Sequence, residues 1–224
     1  MVAVEVWWGR PSAELPWHAE LLDGAERERR RALRRAEDQA RFTVAAALLR
    51  LVAGRRLGVA PGELAIDRTC EDCGRPHGRP QLPGTGLAAS ISHSGDRVAV
   101  AITNAAAVGV DVEQVKPISV EQLASHVLGE DEAAATLGEF FCYWTRKEAV
   151  VKATGEGLRM ALSKVVVTRP GQPPALLRYG DRTDLVASLA DLDAGDGYAA
   201  AVAVLTGAEL RIEQRDAWPL LAAV

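Results

Sequence analysis

Two pairs of charged residues have spacings that could do chemistry. In the segment VGVDVEQV at 108–115, Asp111 and Glu113 stand two apart, so on a strand both carboxylates project from one face while Val110 and Val112 project from the other. Such a pair can share one hard divalent cation, because magnesium takes oxygen ligands and fills its remaining positions with water and substrate phosphates. The same spacing also suits a half-exposed edge strand with its acids in solvent. In WTRKEAVVKATGEGL at 144–158, Trp144, Glu148 and Lys152 recur at every fourth residue and share one helix face. That sets an acid beside a base, which is also the favourable order for a plain surface ion pair. A third carboxylate close to Asp111 and Glu113 would decide between these readings, because three like charges in one place need a cation or raised pKa values.

Arg27, Arg29, Arg30, Arg31, Arg34 and Arg35 fall within nine residues, with Arg27, Arg30, Arg31 and Arg34 on one side of a helix. Guanidinium groups bind phosphate oxygens through paired donors, so this stripe suits a nucleotide phosphate or an acidic protein partner. It also reads as a solvated face balanced by Glu26, Glu28 and Glu37. No aromatic residues interleave with the arginines, which argues against nucleic acid. His93, in ISHSG, is placed either to donate to a phosphate or to hydrogen-bond the turn that Gly95 makes. Cys70, Cys73 and His77, in RTCEDCGRPHGRP, supply half of a zinc site; with no second CxxC or HxxxH, a turn-rich loop with free thiols is expected instead.

The elements that must position these groups follow from local pattern. Val2 to Trp8 reads as a strand closed by a turn at Gly9-Arg10-Pro11, with a short helix after it. From Asp23, an N-cap, a proline-free stretch runs to Gly54 or Gly58; its length predicts two helices meeting near Glu37 and Asp38. Residues 68–85 hold Cys, Gly and Pro at close intervals and read as an irregular loop. LAASISHSG, RVAVAITN and VGVDVEQV are successive strands. Ser119 caps a short helix, an acidic helix is expected from near Glu130, and FFCYWTRKEAVVKATG forms a helix stopped by Gly155. Further strands are expected around SKVVVTR, ALLRY, LVASLA and GYAAAVAVL, which makes the chain α+β.

The 224 residues, 48% hydrophobic and 25% charged, are those of a globular chain with a substantial core, and the net charge of −4 does not suit a protein that coats nucleic acid. No signal-like start and no run of eighteen apolar residues is present, so a cytoplasmic protein without a membrane span is expected. The odd count of three cysteines fits a reducing compartment.

Taken in order, GRP at 78–80, ISHSG at 91–95, GVDVE at 109–113 and WTRKEAVVKATGEGL at 144–158 resemble the motifs of the Sfp-type phosphopantetheinyl transferases, over roughly residues 23–205. The resemblance implies two similar α/β halves related by a pseudo-twofold axis, here 1–108 and 109–224, with coenzyme A between them. It implies transfer of the 4'-phosphopantetheine arm of coenzyme A to a serine of an apo acyl or peptidyl carrier protein, releasing adenosine 3',5'-bisphosphate. The carrier could serve fatty acid, polyketide, non-ribosomal peptide or siderophore synthesis, and a monomer is expected. Asp111, Glu113 and Glu148 are implied as magnesium ligands, and Glu148 and Lys152 as catalytic residues, with a bound water or Glu132 as alternatives to Glu148 as the base. Arg27, Arg30, Arg31, Arg79, Ser92, His93 and Lys152 are implied as contacts to coenzyme A, and Arg41 and Thr43 fall near another coenzyme-contacting stretch.

Overall fold

The computed structural model describes residues 1–70 and 73–223. The first half of the chain forms β1 (Val2–Gly9), α1 (Gly24–Ala32), α2 (Ala36–Leu57), β2 (Asp67–Thr69), β3 (Pro76–Gln81), β4 (Ala88–Ser94) and β5 (Arg97–Thr103). The second half forms β6 (Val108–Gln114), α3 (Val120–Val127), α4 (Leu137–Thr154), β7 (Val165–Val167), β8 (Leu176–Tyr179), β9 (Ser188–Asp191), β10 (Tyr198–Val204), β11 (Leu210–Asp216) and α5 (Trp218–Leu221). The architecture is α+β: a six-stranded sheet ordered β11-β1-β5-β4-β3-β2, a three-stranded sheet ordered β6-β10-β9, and the pair β7-β8.

Strand alternation stacks these sheets in four layers. On β1 and β5, Trp7, Val98, Val100 and Ile102 face α2 and pack on Val44, Leu48, Leu49 and Val52. Their neighbours Val4, Val6, Ala99 and Ala101 face the second sheet and meet Val110, Val112, Ala200 and Val202. From the far side of that sheet, Ala201 and Ala203 pack on Ala149, Val150 and Ala153 of α4. No helix among the described residues is long and apolar enough to cross a membrane.

Several elements differ from the sequence expectation. The chain leaves α1 at Leu33, which is extended, and re-enters helix at Ala36, because the Gln39 side chain donates to the Leu33 carbonyl at 2.8 Å and holds the break there. Arg34 and Arg35 therefore lie in the connection, and the arginine stripe is cut short. The short helix after β1 is two 3-10 turns, Pro11–Ala13 and Pro16–Glu20. Within 68–85 the chain builds β2 and β3, paired with each other at the sheet edge. No acidic helix starts near Glu130. The Glu132 carboxylate accepts the N–H groups of Gly129 at 2.7 Å and Val167 at 3.0 Å and pairs with the buried Lys147 ammonium, which folds the segment into a turn. β11, unforeseen, runs parallel to β1 along its outer edge. α4 begins at a capping box between Thr136 and Glu139 and ends at Gly155, whose φ of 78° is the left-handed stop expected of it.

The contact that fixes the site is at Gly109 of β6. A Cβ built there would lie 1.9 Å from the Ala149 carbonyl oxygen and 2.5 Å from the Ala153 nitrogen, so α4 rests its backbone directly on the strand. Gly109, Asp111 and Glu113 share one face of β6, and this approach delivers Glu148 and Lys152 to the two acids. Gly109→Ala should therefore lower the unfolding free energy by about 1–3 kcal/mol in a urea titration, the range for forcing one extra carbon into a packed interior. An unchanged midpoint would show that the helix does not rest there.

Candidate active site

β6 is the free edge of its sheet, and it meets β4 through side chains. Ser90, Ser92 and Ser94 alternate along β4, and their hydroxyl oxygens accept the N–H groups of Val110 at 3.0 Å, Val112 at 3.3 Å and Gln114 at 3.2 Å. The last two serines also donate, Ser92 to Asp111 Oδ1 at 2.8 Å and Ser94 to Glu113 Oε2 at 2.6 Å. Lys152, one turn from Glu148 on α4, donates to Asp111 Oδ1 at 2.6 Å and to Ser92 at 2.9 Å. The sequence pairs Asp111 with Glu113 and Glu148 with Lys152 thus converge in one cleft of about 400 Å³, with Ser92 and His93 on its wall. A larger concavity of about 730 Å³ opens between Trp8, Arg97 and Trp218 and shares none of these residues.

The electrostatics are those of crowded acids. Burial pushes the Glu148 carboxyl above the usual carboxylate value, with Asp111 and Glu113 adding to the effect and Lys152 opposing it. Burial also raises Glu113, against the Ser94 hydrogen bond. The second oxygen of Asp111, Oδ2, is buried and has no hydrogen-bond partner. A lone buried carboxylate oxygen beside two half-buried acids is a donor set that fits a hard divalent cation. The three acids do not close as a set to within 4.8 Å of one another, as expected of like charges. His93 stands at the cleft mouth; desolvation by the surrounding protein, reinforced by Arg41 and Lys152, holds its pKa below the usual imidazole value, so it is neutral at pH 7.

The WTRKEAVVK segment divides by helix face. Trp144, Glu148 and Lys152 line the cleft, whereas Arg146 and Lys147 are buried on the other side. Arg146 holds Asp191 through Nε at 2.7 Å and Nη2 at 2.5 Å, and Lys147 holds Glu132. Glu132 is thereby committed to a buried structural pair outside the cleft and is removed as a base, because its oxygens already accept three donors.

The arginines sort differently from expectation. Arg29, not Arg27, Arg30 or Arg31, lines the cleft. Arg27 turns back to the Leu22 carbonyl, Arg30 donates to Thr43 at 2.8 Å and to Glu14 at 3.2 Å, and Arg31 is exposed to solvent. α1 holds this register because its Glu26, buried at 2% exposure, takes two donors from Arg50 of α2. Arg41 donates to the Gly95 carbonyl at 3.0 Å, beneath the ISHSG turn. Arg79 lies outside the cleft: its guanidinium donates to the Ala153 carbonyl at 2.9 Å and covers Gly155, closing the C-terminal end of α4. The sequence reading missed Arg68, Pro76 and His77 as cleft walls, since they sit in a segment read as loop, and Phe42, whose apolar face gave no signal. Cys70, Cys73 and Cys142 form no disulfide, and Arg75 together with His77 lowers the Cys73 thiol to about 6.

A sequence model of the 4'-phosphopantetheinyl transferase superfamily matches residues 107–203, the stretch that carries β6 and α4. The chain is 32% identical over 204 residues to 4'-phosphopantetheinyl transferase HetI of Nostoc sp., covering 87% of this chain and 83% of that one. The chain belongs to the 4'-phosphopantetheinyl transferase superfamily. It is thus a transferase, as the motifs implied. It is also 30% identical over 192 residues to a phosphopantetheinyl transferase of Thraustochytrium sp., with 74% and 66% of the two chains covered. Against 4'-phosphopantetheinyl transferase Sfp of Bacillus subtilis it is 28% identical over 155 residues, 66% of each chain. Within the phosphopantetheinyl transferase frame, the Asp111, Glu113, Glu148 and Lys152 cluster lies inside the stretch matched by the superfamily model, and the arginine wall lies before it.

Because their folded pKa values are raised above 4.5, Glu113 and Glu148 contribute stability that is complete below that value and is lost as pH rises through their folded values. A divalent cation held by these carboxylates would oppose the loss. The rise in melting temperature on adding a magnesium salt should therefore be larger at about pH 8 than at about pH 5 by scanning calorimetry. An equal rise at both would place the cation elsewhere.

Proposed function

We propose that the chain transfers the 4'-phosphopantetheine arm of coenzyme A to a serine of an apo acyl or peptidyl carrier protein, releasing adenosine 3',5'-bisphosphate, with magnesium as cofactor. The observation that carries this reading is the unpartnered, buried Oδ2 of Asp111 in a cleft shared with Glu113, Glu148, Lys152 and two arginines. A pyrophosphate together with a hard cation would balance the charges of that set. The names of the relatives support transfer of the phosphopantetheinyl group.

Asp111, Glu113 and Glu148 would hold magnesium, which supplies charge neutralisation and orientation for the pyrophosphate. Lys152, with its ammonium on Ser92 and Asp111, is placed to donate to the phosphate that departs. Arg29, Arg68, Ser92 and a neutral His93 hold the other phosphate oxygens, and Pro76 with His77 walls the nucleoside end. Glu148 takes the proton of the attacking serine hydroxyl, directly or through a water. The serine oxygen bonds to the phosphorus bearing pantetheine, the bond to the bridging oxygen breaks, and its electron pair leaves with adenosine 3',5'-bisphosphate. Arg79 acts at one remove, by fixing the end of the helix that carries Lys152.

In this reading the stretches 1–108 and 109–224 act as a pair, although they do not form separate sheets: β11 of the second pairs with β1 of the first, and Leu221 of α5 packs in the α2 core. The first supplies the phosphate clamp and the second the acids. One chain brings all of these groups, so a monomer suffices, and its odd count of three cysteines accords with a reducing compartment such as the cytoplasm.

Incubated with magnesium, coenzyme A and a panel of apo carriers, the protein should add one phosphopantetheine mass to a carrier by intact mass spectrometry. Phosphate release without any carrier, and no mass gain, would point to a hydrolase instead. Asp111→Ala should abolish transfer with an unchanged circular dichroism spectrum, whereas full activity would exclude Asp111 as a ligand. Arg29→Ala should raise the KM for coenzyme A several-fold, and more than Arg31→Ala does. The reverse order would put the phosphate on the other face of α1.

A further inference from the structure

We propose that Cys70, Cys73 and His77 form a second metal site, for a thiophilic divalent cation of the zinc class, at the mouth of the cleft. Their ligand atoms all lie within 4.8 Å of one another, and Cys73 Sγ is 2.9 Å from His77 Nε2. A tetrahedral zinc with bonds of about 2.0–2.3 Å holds its ligand atoms about 3.5 Å apart, so only small side-chain rotations separate this cluster from coordination. Two sulfurs and an imidazole select a soft or borderline ion, whereas the Asp111 cluster, all oxygen, selects a hard one. The two sites therefore take different metals.

The backbone arranges the ligands in advance. The Gly74 N–H donates to the Cys70 carbonyl at 2.8 Å, the Cys70 N–H to the Arg75 carbonyl at 2.9 Å, and the His77 N–H to the same carbonyl at 2.9 Å. Gly74 has φ of 68°, and this left-handed residue lets the chain reverse directly after Cys73. Cys73 and His77 are exposed and Cys70 is partly so, which leaves an entry path and a fourth position for water.

The site also has a mechanical purpose. Cys70 follows β2 and His77 lies in β3, so a shared ion would clamp the turn end of this hairpin, the end remote from its pairing with β4. The hairpin needs a tie: β3 joins the rest of the sheet through a single residue pair, Gln81 with Ala88, and a two-stranded hairpin alone is marginal in water. Yet β2 and β3 carry Arg68, Pro76 and His77 to the cleft wall. Loading this site would stiffen the wall without touching the acids.

The test uses the full-length protein, metal-stripped and with its thiols counted as reduced, titrated with cobalt in excess magnesium. One equivalent should produce a thiolate-to-cobalt charge-transfer band with tetrahedral d–d absorption, and zinc should abolish both. Cys73→Ser and His77→Gln, both at exposed positions, should each weaken cobalt binding at least ten-fold, while Asp111→Asn keeps the band. Zinc should slow amide exchange across residues 67–81 in the wild type and not in Cys73→Ser. No charge-transfer band at one equivalent, a band that survives Cys73→Ser, or exchange indifferent to zinc would each overturn the proposal. Because the readout involves neither coenzyme A nor a carrier, its failure is distinct from failure of the transferase reading.

Discussion

The structure depends on how β6 is held along its open edge. A strand edge presents N–H groups that must find acceptors, and here three of them are met by the Ser90, Ser92 and Ser94 hydroxyls in place of a neighbouring backbone. Because side chains on β4 point the same way at every second residue, the serines reach β6 at matching intervals without any sheet pairing between the two strands. A hydroxyl can accept and donate at once, so the oxygens that satisfy the strand also orient Asp111 and Glu113. Packing and site geometry are here one set of bonds.

The second constraint comes from the opposite side. Gly109 lets the α4 backbone descend onto β6, and the residues delivered by that approach are a carboxylate and an ammonium at helical spacing. Lys152 then neutralises Asp111, which allows the buried acid to be tolerated by the fold itself. Arg146 and Lys147, their neighbours in the same motif, act away from the cleft. Each is buried and paired, and each pins α4 to the rest of the second half.

How much of this was legible depended on whether a residue's role was local. The strand carrying Asp111 and Glu113, the helix carrying Glu148 and Lys152, and the stop at Gly155 all follow from period and capping, and they were read from sequence. Which arginine of α1 lines the cleft was not, because choosing Arg29 over Arg27 or Arg30 requires knowing that Glu26 is anchored by Arg50, which is distant in sequence. Glu132 had the composition of a helix start, but the charge of Lys147 claimed it. The stretch around Arg68 had the glycine and proline content of a loop, and its strands exist only by pairing at a sheet edge. Ser92 of ISHSG was implied by the resemblance as a contact to coenzyme A; its role, with Ser90 and Ser94, as an acceptor for another strand is tertiary and left no mark in the pattern.

The parallel pairing of β11 with β1 bears on the order in which the protein can be completed. β1 is made long before β11, so during synthesis the outer edge of β1 stays open until residues 210–216 have left the ribosome. Every other partner of the first sheet is already present by residue 103. The nascent chain must therefore carry an exposed, β-branched strand edge while residues 104–209 are made, a template for pairing with other chains. The last strand acts as a seam, and a ribosome that stalls before it would release a chain whose first sheet can zip onto a neighbour.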